Sequence, residues 1–436
     1  MAESVGAGDE GLVRAIGTGA LGLGIVNMVV GGGIFVLPGL VAAELGSAAL
    51  IAYLVCAFAV GLVFLCFAEI GSRITSSGGS YAYVENAFGP FAGFMASTLL
   101  WLGWSVLADA AITIAMTETI ATVFPLLNEP LPRAIFILSV LALIATINIR
   151  GVRSGVRLYV FNTMAKLVPL MLLLVVGVFA ISADNLVFRE WPSLVSIGTA
   201  SVVLFFAFAG AETALNASGE IRDPARTVPK GLLVGLTGIL AIYVGLQTVA
   251  QGVLGNELAN NTEAPLAATA QAVFGNWGSR MLLVGGVISI FGTVSGDLLC
   301  TPRVIFAAAR DGNLPRFLAR IHPKYRTPHV AIMAFAAIIA AFALTGTFKP
   351  LAAVASGSIL TVYAGVCLAV LRVRKRDGLP AAGQFRLPFG PLIPILACLV
   401  VAWLLLQLTL EEATSFAVLI GAAGGVYGIR TMVRKR

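Results

Sequence analysis

The chain has 436 residues, 58% of them hydrophobic and 11% charged, with a formal net charge of +7 and a mean hydropathy of +0.96. A soluble domain carries about 25% charged residues, and a soluble globule has no way to hide this much apolar surface. Composition excludes a soluble enzyme, a nucleic-acid-binding domain and a disordered chain, and leaves an integral membrane protein.

Twelve apolar segments follow one another, at roughly 15–41, 46–71, 91–125, 132–149, 155–181, 194–218, 230–254, 278–308, 329–346, 350–371, 388–410 and 413–430. A transmembrane helix takes roughly 20 residues, so each segment reads as one span. Long runs rather than short alternating ones exclude a porin-type barrel. The connections alternate in charge. One set gathers Arg150, Arg153 and Arg157, then Arg222, Arg226 and Lys230, then Arg310 to Arg326, then Arg372 to Arg376, and last Arg430 to Arg436. The other holds Arg133, Arg189, Arg280 and Lys349 among acids such as Glu44, Glu129 and Glu263. Lys/Arg-rich connections stay cytoplasmic, so both termini are expected inside. The positive net charge is a topology signal, with no nucleic acid implied.

The minor residues narrow the chemistry. Cys56, Cys66, Cys300, Cys367 and Cys398 lie far apart in sequence inside apolar runs and read as packing, with neither a disulfide framework nor a metal site. His322 and His329 share one loop and are too few for a zinc cluster. The first ten residues are acidic and the first apolar segment is long, so no cleaved signal peptide is expected. No cofactor is implied.

Two segments are interrupted. Segment 1 contains Val30-Gly31-Gly32-Gly33-Ile34 and segment 6 contains Phe208-Ala209-Gly210-Ala211-Glu212. Glycine disfavours helix by about 1 kcal/mol per residue. The two breaks lie five segments apart, an odd offset that implies inverted topology. Matching breaks in two inverted halves point to a transporter site near the membrane midplane. The alternative is close helix packing through small residues.

The same residues carry a family resemblance. Gly31-Gly32-Gly33-Ile34-Phe35 is similar to the Gly-Ser-Gly-Ile-Phe motif of the amino acid–polyamine–organocation superfamily, with Gly32 in place of Ser. Gly78-Gly79-Ser80-Tyr81-Ala82-Tyr83, Phe88-Gly89-Pro90, Phe205 to Gly210, Glu220 to Lys230 and Ala309 to Pro315 match its further signatures in order. The chain therefore resembles the amino-acid permeases of that superfamily over nearly its whole length. The resemblance implies an all-α, twelve-helix LeuT-type fold: a first repeat at 15–181, an inverted second repeat at 194–371, and two further helices at 388–430. Short cytoplasmic tails at 1–14 and 431–436 complete it. It also implies alternating access, a place in the cell (inner) membrane and no enzymatic activity.

The substrate set so implied is Val30, Gly31, Gly32, Gly33, Ile34, Trp104, Asp109, Phe206, Phe208, Ala209, Gly210 and Asp297. The physics agrees with it. Where a helix unwinds, its amides and carbonyls lose their partners, and in lipid they must be satisfied by protein, water or ligand. The Gly31 to Gly33 amides suit a substrate carboxylate, and carbonyls near Phe206 and Ala209 suit an α-ammonium. Leucine at Gly32 is expected to abolish binding while sparing the fold.

Ionisable residues inside a membrane are costly and usually functional. Here they are Glu69, Asp109, Glu118, Lys166, Glu212 and Asp297; Glu69 and Glu118 read as interfacial. The resemblance places Lys166 where sodium-coupled relatives hold a cation. Burial disfavours an ammonium's charge, which suits Lys166 to carry a proton, with the carbonyl near Asn27 and the hydroxyls of Thr293 and Ser295 as neighbours. The alternative is a fixed structural cation. Glu212 either carries a proton or caps freed amides. Asp109 and Asp297 either contact a second amine on the substrate or form an internal pair, Asp297 with Lys166. The function expected is proton-coupled amino-acid transport, or alternatively exchange or export of polyamines or cationic amino acids.

Overall fold

The computed structural model describes residues 16–74, 79–150, 155–187, 191–215, 221–310 and 314–434. The 1–14 tail, Gly78, Arg153, Arg189, Glu220, the Asp311 to Asn313 part of one signature and the last two residues lie outside them.

In chain order, α1 (Thr18–Val29) ends at the first glycine break, and a 3-10 turn at Gly33–Phe35 leads into α2 (Leu37–Leu45). Then come α3 (Ala49–Arg73) and α4 (Gly79–Phe88). A long helix is built from α5 (Pro90–Thr98), a π-helical stretch at Leu99–Val106 and α6 (Leu107–Ala121). Next are α7 (Pro130–Arg150) and α8 (Gly155–Gly177). After α9 (Leu194–Phe208) comes the second break, then α10 (Ala211–Leu215) and α11 (Pro224–Leu254). The chain continues through α12 (Pro265–Phe274), α13 (Asn276–Arg310), α14 (His329–Thr345), α15 (Phe348–Asp377), α16 (Leu392–Leu405) and α17 (Leu410–Arg434). Among the described residues the one extended pairing is a bridge between Ile16 and Ile221.

Seven helices of the described residues are long and apolar enough to cross a membrane, or eight if α16 and α17, bent by 116°, count as one span. The sequence suggests twelve. Both breaks leave pieces too short to span alone: α1 has 12 residues and α9 has 15, against the roughly 20 a crossing needs. Apolar side chains such as Leu54, Phe58, Leu131 and Val195 face outward on the helices, as a lipid-facing surface requires.

Helices α1 and α3 pack on α11, α9 packs on α3 and α15, and α13 packs on α6 and α8. Buried polar anchors hold this frame. Glu69, near the end of α3, is fully buried. It accepts from Arg374 Nε at 2.6 Å, Arg374 Nη2 at 2.5 Å and the Leu387 amide at 2.8 Å, a two-pronged pairing that satisfies a buried carboxylate. Glu118 pairs with Arg133 at 3.0 Å. Lys349 pairs with Glu44, tying α15 to α2. The cysteines are free thiols, but three are not far apart in space: Cys66, Cys367 and Cys398 bring their sulfurs together where α3, α15 and α16 meet.

Candidate functional site

The first break lies between α1 and α2. Val30 leaves helical geometry at ψ 80°. The Gly31 amide turns back to the Val29 carbonyl at 2.7 Å, and the Gly31 carbonyl accepts from Ser289 Oγ at 3.3 Å. Gly32, Gly33 and Ile34 open the next helical piece, where amides have no carbonyl a turn behind them. The glycines differ in the space around them. A Cβ on Gly31 would approach Thr293 Oγ1 at 3.7 Å, an ordinary contact, whereas one on Gly32 would lie 2.7 Å from Ile290 Cγ1 and 3.2 Å from Ile112 Cγ2. A leucine at Gly32 therefore strikes the core, and the expectation that it spares the fold is corrected.

The second break is made by Ala209, extended at ψ 162°, and Gly210, at φ +118°, a region side chains rarely adopt. Glu212 closes it. Its Oε2 accepts from the Gly210 amide at 3.0 Å and from the Tyr363 hydroxyl of α15. Its Oε1 is buried with no partner among the described residues.

The fold sets the two breaks side by side. Tyr243 of α11 reaches both: its hydroxyl lies 2.9 Å from the Val29 carbonyl and 2.9 Å from the Ala207 carbonyl. Phe206 also spans them. Its ring would lie 3.1 Å from a Cβ on Gly33, and it packs against Trp104 at 5.5 Å and Phe348 at 5.8 Å between centroids. Phe208 is fully buried on Tyr53 and Tyr243. Tyr243 and Tyr363 escaped the sequence analysis, since a tyrosine in an apolar run reads as packing. The usable signal was chemical: a buried phenol needs a partner, and a broken helix frees carbonyls and amides that need one too.

Lys166 of α8 is 3% exposed and donates to the Asn27 carbonyl at 2.5 Å, one turn before the first break. Asn27 Oδ1 and Asn162 Oδ1 are buried without partners among the described residues. The expected hydroxyls are turned elsewhere. Thr293 donates to the Ser289 carbonyl at 3.0 Å along its own helix, and Ser295 meets the Asn148 side-chain amide at 3.4 Å. Lys166 bonds to a carbonyl, and among the described residues it forms no ion pair with Asp297.

A cavity of about 910 Å³ runs from Tyr81 and Glu85 of α4 to Trp104, Glu212 and Asp297, with Arg303 on its wall. Of the expected substrate residues, Trp104 and Asp297 line it; the glycine breaks and Asp109 do not. Phe206 accounts for part of this separation, as its ring lies between the Gly33 backbone and Trp104 on the cavity wall. Asp109 is 1% exposed, and neither of its carboxylate oxygens has a partner among the described residues. Asp297 lies within electrostatic range of both Asp109 and Glu212.

Residues 19–424 match the model of a family described as amino acid permease, and the chain belongs to that family. It is 30% identical over 430 residues to the serine/threonine exchanger SteT of Bacillus subtilis, covering 95% of this chain and 96% of that protein. It is 28% identical over 451 residues to the methylthioribose transporter of the same organism, covering 96% and 93%. The branched-chain amino acid permease BcaP, also of Bacillus subtilis, is 28% identical over 428 residues, covering 92% and 89%. The chain is thus an integral membrane transporter of the permease class and not an enzyme.

Proposed function

We propose that this permease is a secondary active transporter of amino acids in the cell membrane, coupled to protons through Lys166 and working by alternating access. The observation that carries the reading is the Tyr243 hydroxyl set between the carbonyls of both helix breaks. It supports reading the two interruptions as one site, with the Gly32 and Gly33 amides offered to a carboxylate and the carbonyls beside Ala209 offered to an ammonium. Two of the three named relatives carry amino acids in their names, and those differ in side chain. The part common to their substrates is the one that backbone groups recognise.

In this reading the twelve spans are α1 with α2, α3, α5 with α6, α7, α8, α9 with α10, α11, α13, α14, α15, α16 and α17. The first five and the next five are inverted repeats, and both termini are cytoplasmic. The cavity opens toward the arginine-rich side, while Phe206, Trp104, Phe348 and the Lys349–Glu44 pair close the other. Movement of Phe206 joins the glycine amides to the cavity. Lys166 takes and releases the proton: charged, it holds the Asn27 carbonyl and so α1; neutral, it lets that helix go.

A second reading is favoured by the cavity wall, where Glu85, Glu212 and Asp297 face a single Arg303. Such a wall suits a substrate with an added cationic group, a cationic amino acid or a polyamine, with Phe206 or Trp104 packing on it through a cation–π contact. Uptake into proteoliposomes against a panel of amino acids and polyamines, with imposed proton or sodium gradients, tests both. Accumulation of a neutral amino acid on a proton gradient is expected; accumulation that requires sodium overturns the coupling, and accumulation of polyamines alone overturns the first reading in favour of the second.

A further inference from the structure

Three acids, Asp109, Asp297 and Glu212, act on one another in this part of the bundle. Asp297 is within electrostatic range of both Asp109 and Glu212. Asp297 and Glu212 border the cavity, and Asp109 does not. Glu212 is held by the Tyr363 hydroxyl and the Gly210 amide. Asp109 is almost fully buried, and neither carboxylate oxygen has a donor among the described residues. Its position in the middle of an apolar helix keeps it from reaching the membrane surface.

Among the described residues no cation pairs with Asp109. Arg133 of α7 is taken by Glu118, and Arg150 sits in the last turn of α7. The sequence of α14 carries one titratable residue, His329, at its first position. On α15, Tyr363 donates to Glu212, Lys349 pairs with Glu44, and Arg374 pairs with Glu69. The π-helical stretch has no charged residue. On α13, Asp297 is the charged group that acts on Asp109, and Arg303 lies on the cavity wall. A carboxylate without donor or counter-charge is untenable in so apolar a setting, the more so beside a second carboxylate.

We infer that Asp109 is a proton-holding site separate from Lys166, and that it exchanges its proton with the cavity through Asp297. The transfer balances simply. The O–H bond of the Asp109 carboxyl breaks as one forms on the Asp297 carboxylate, relayed through intervening water. Asp109 is left as the anion and Asp297 as the neutral acid. Asp297 then releases the proton to cavity water, or the proton returns to Asp109. The pair shares one proton between two carboxyl groups. This inference needs neither the substrate nor the Lys166 role proposed above.

Infrared spectroscopy of the full-length protein in lipid vesicles at neutral pH, without substrate, tests it. The wild type is expected to show the carbonyl stretch of a protonated carboxylic acid, shifted in heavy water. Asp109→Asn, close in shape to the protonated acid, is expected to lose that band. Glu212→Gln and Lys166→Ala are expected to keep it. Asp297→Asn is expected to keep it but to slow its hydrogen–deuterium exchange severalfold. Should Asp109→Asn fail to fold, Asp109→Glu is expected to move the band instead. Absence of the band in the wild type, or a band unaltered by change at Asp109, overturns the site; wild-type exchange in Asp297→Asn overturns the route.

Discussion

The Tyr243 hydroxyl lies 2.9 Å from the Val29 carbonyl, 214 residues away in sequence, at the point where α1 stops being a helix. Ala207 offers a second carbonyl at the same distance. A phenol has one proton to donate, so the two carbonyls compete for it; Val29 also accepts from the Gly31 amide, and Ala207 has Tyr243. This makes the pair of breaks a joint rather than two independent defects, and it makes Tyr243 the side chain on which their relative position depends.

Tyr243→Phe keeps the ring that packs on Phe208 and removes only the hydroxyl. Val29 keeps the Gly31 amide, but leaving the buried Ala207 carbonyl without this donor costs about 1–3 kcal/mol. We expect a folded protein with a lower unfolding temperature and strongly reduced transport, measured in the same vesicle preparation. Full transport with unchanged stability would show that the hydroxyl does not hold the breaks together.

Two glycines of the first break and one of the second are predicted to differ. Gly31→Ala meets Thr293 at an ordinary distance and is expected to be near neutral. Gly32→Ala drives a methyl into Ile290 and Ile112, an overpacking worth about 1–3 kcal/mol. Gly210→Ala forces a side chain into a positive-φ conformation, at about 1–3 kcal/mol. Thermal unfolding of the three variants should place Gly31→Ala highest. Equal loss in all three would contradict the packing described for this region.

Much of this architecture was legible in the sequence because it depends on residue type and spacing. Three consecutive glycines and the Ala209–Gly210 pair mark the two breaks without any knowledge of the fold, and Lys166 stands out as a cation amid apolar residues. Side-chain direction was not legible. Ser295 and Thr293 are two residues apart, so they point to different sides of α13, one toward Asn148 and the other along its own helix. Glu69 reads as an acid near a helix end, but its partners Arg374 and Leu387 lie about 300 residues on. The meeting of Cys66, Cys367 and Cys398 likewise depends on three helices converging. Asp109 and Asp297 read alike in sequence, yet only one of them reaches the cavity.

The cavity wall makes substrate charge testable. Asp297→Asn and Glu212→Gln each remove a negative charge that faces the cavity while keeping the shape of the side chain. If the second, cationic reading holds, both should weaken a dicationic ligand more than a neutral amino acid, by tenfold or so for about 1.4 kcal/mol of lost attraction. Competition binding with one neutral and one dicationic amino acid measures the difference. Equal loss for both ligands would mean that these acids shape the protein and do not select the substrate.

Coupling is the last and most exposed prediction. Lys166 holds the Asn27 carbonyl at 2.5 Å, so its charge bears directly on the turn of α1 that precedes the glycine break. An ammonium donates three hydrogens and accepts none, whereas the neutral amine is a weaker donor. Protonation therefore fastens α8 to α1, and deprotonation loosens them. In the proposed cycle an inward proton gradient drives accumulation and sodium does not. Lys166→Ala is expected to bind substrate, because the amides and carbonyls of the two breaks remain, yet to fail to concentrate it on a proton gradient. Alanine also leaves a void beside α1, so unfolding temperature and substrate binding must be measured on the same preparation. Lys166→Met fills that void without a titratable group and should show the same loss with less destabilisation. A folded Lys166→Met protein that still concentrates substrate on a proton gradient would remove Lys166 as the coupling group and leave the carboxylates of Glu212 and Asp109 to account for it.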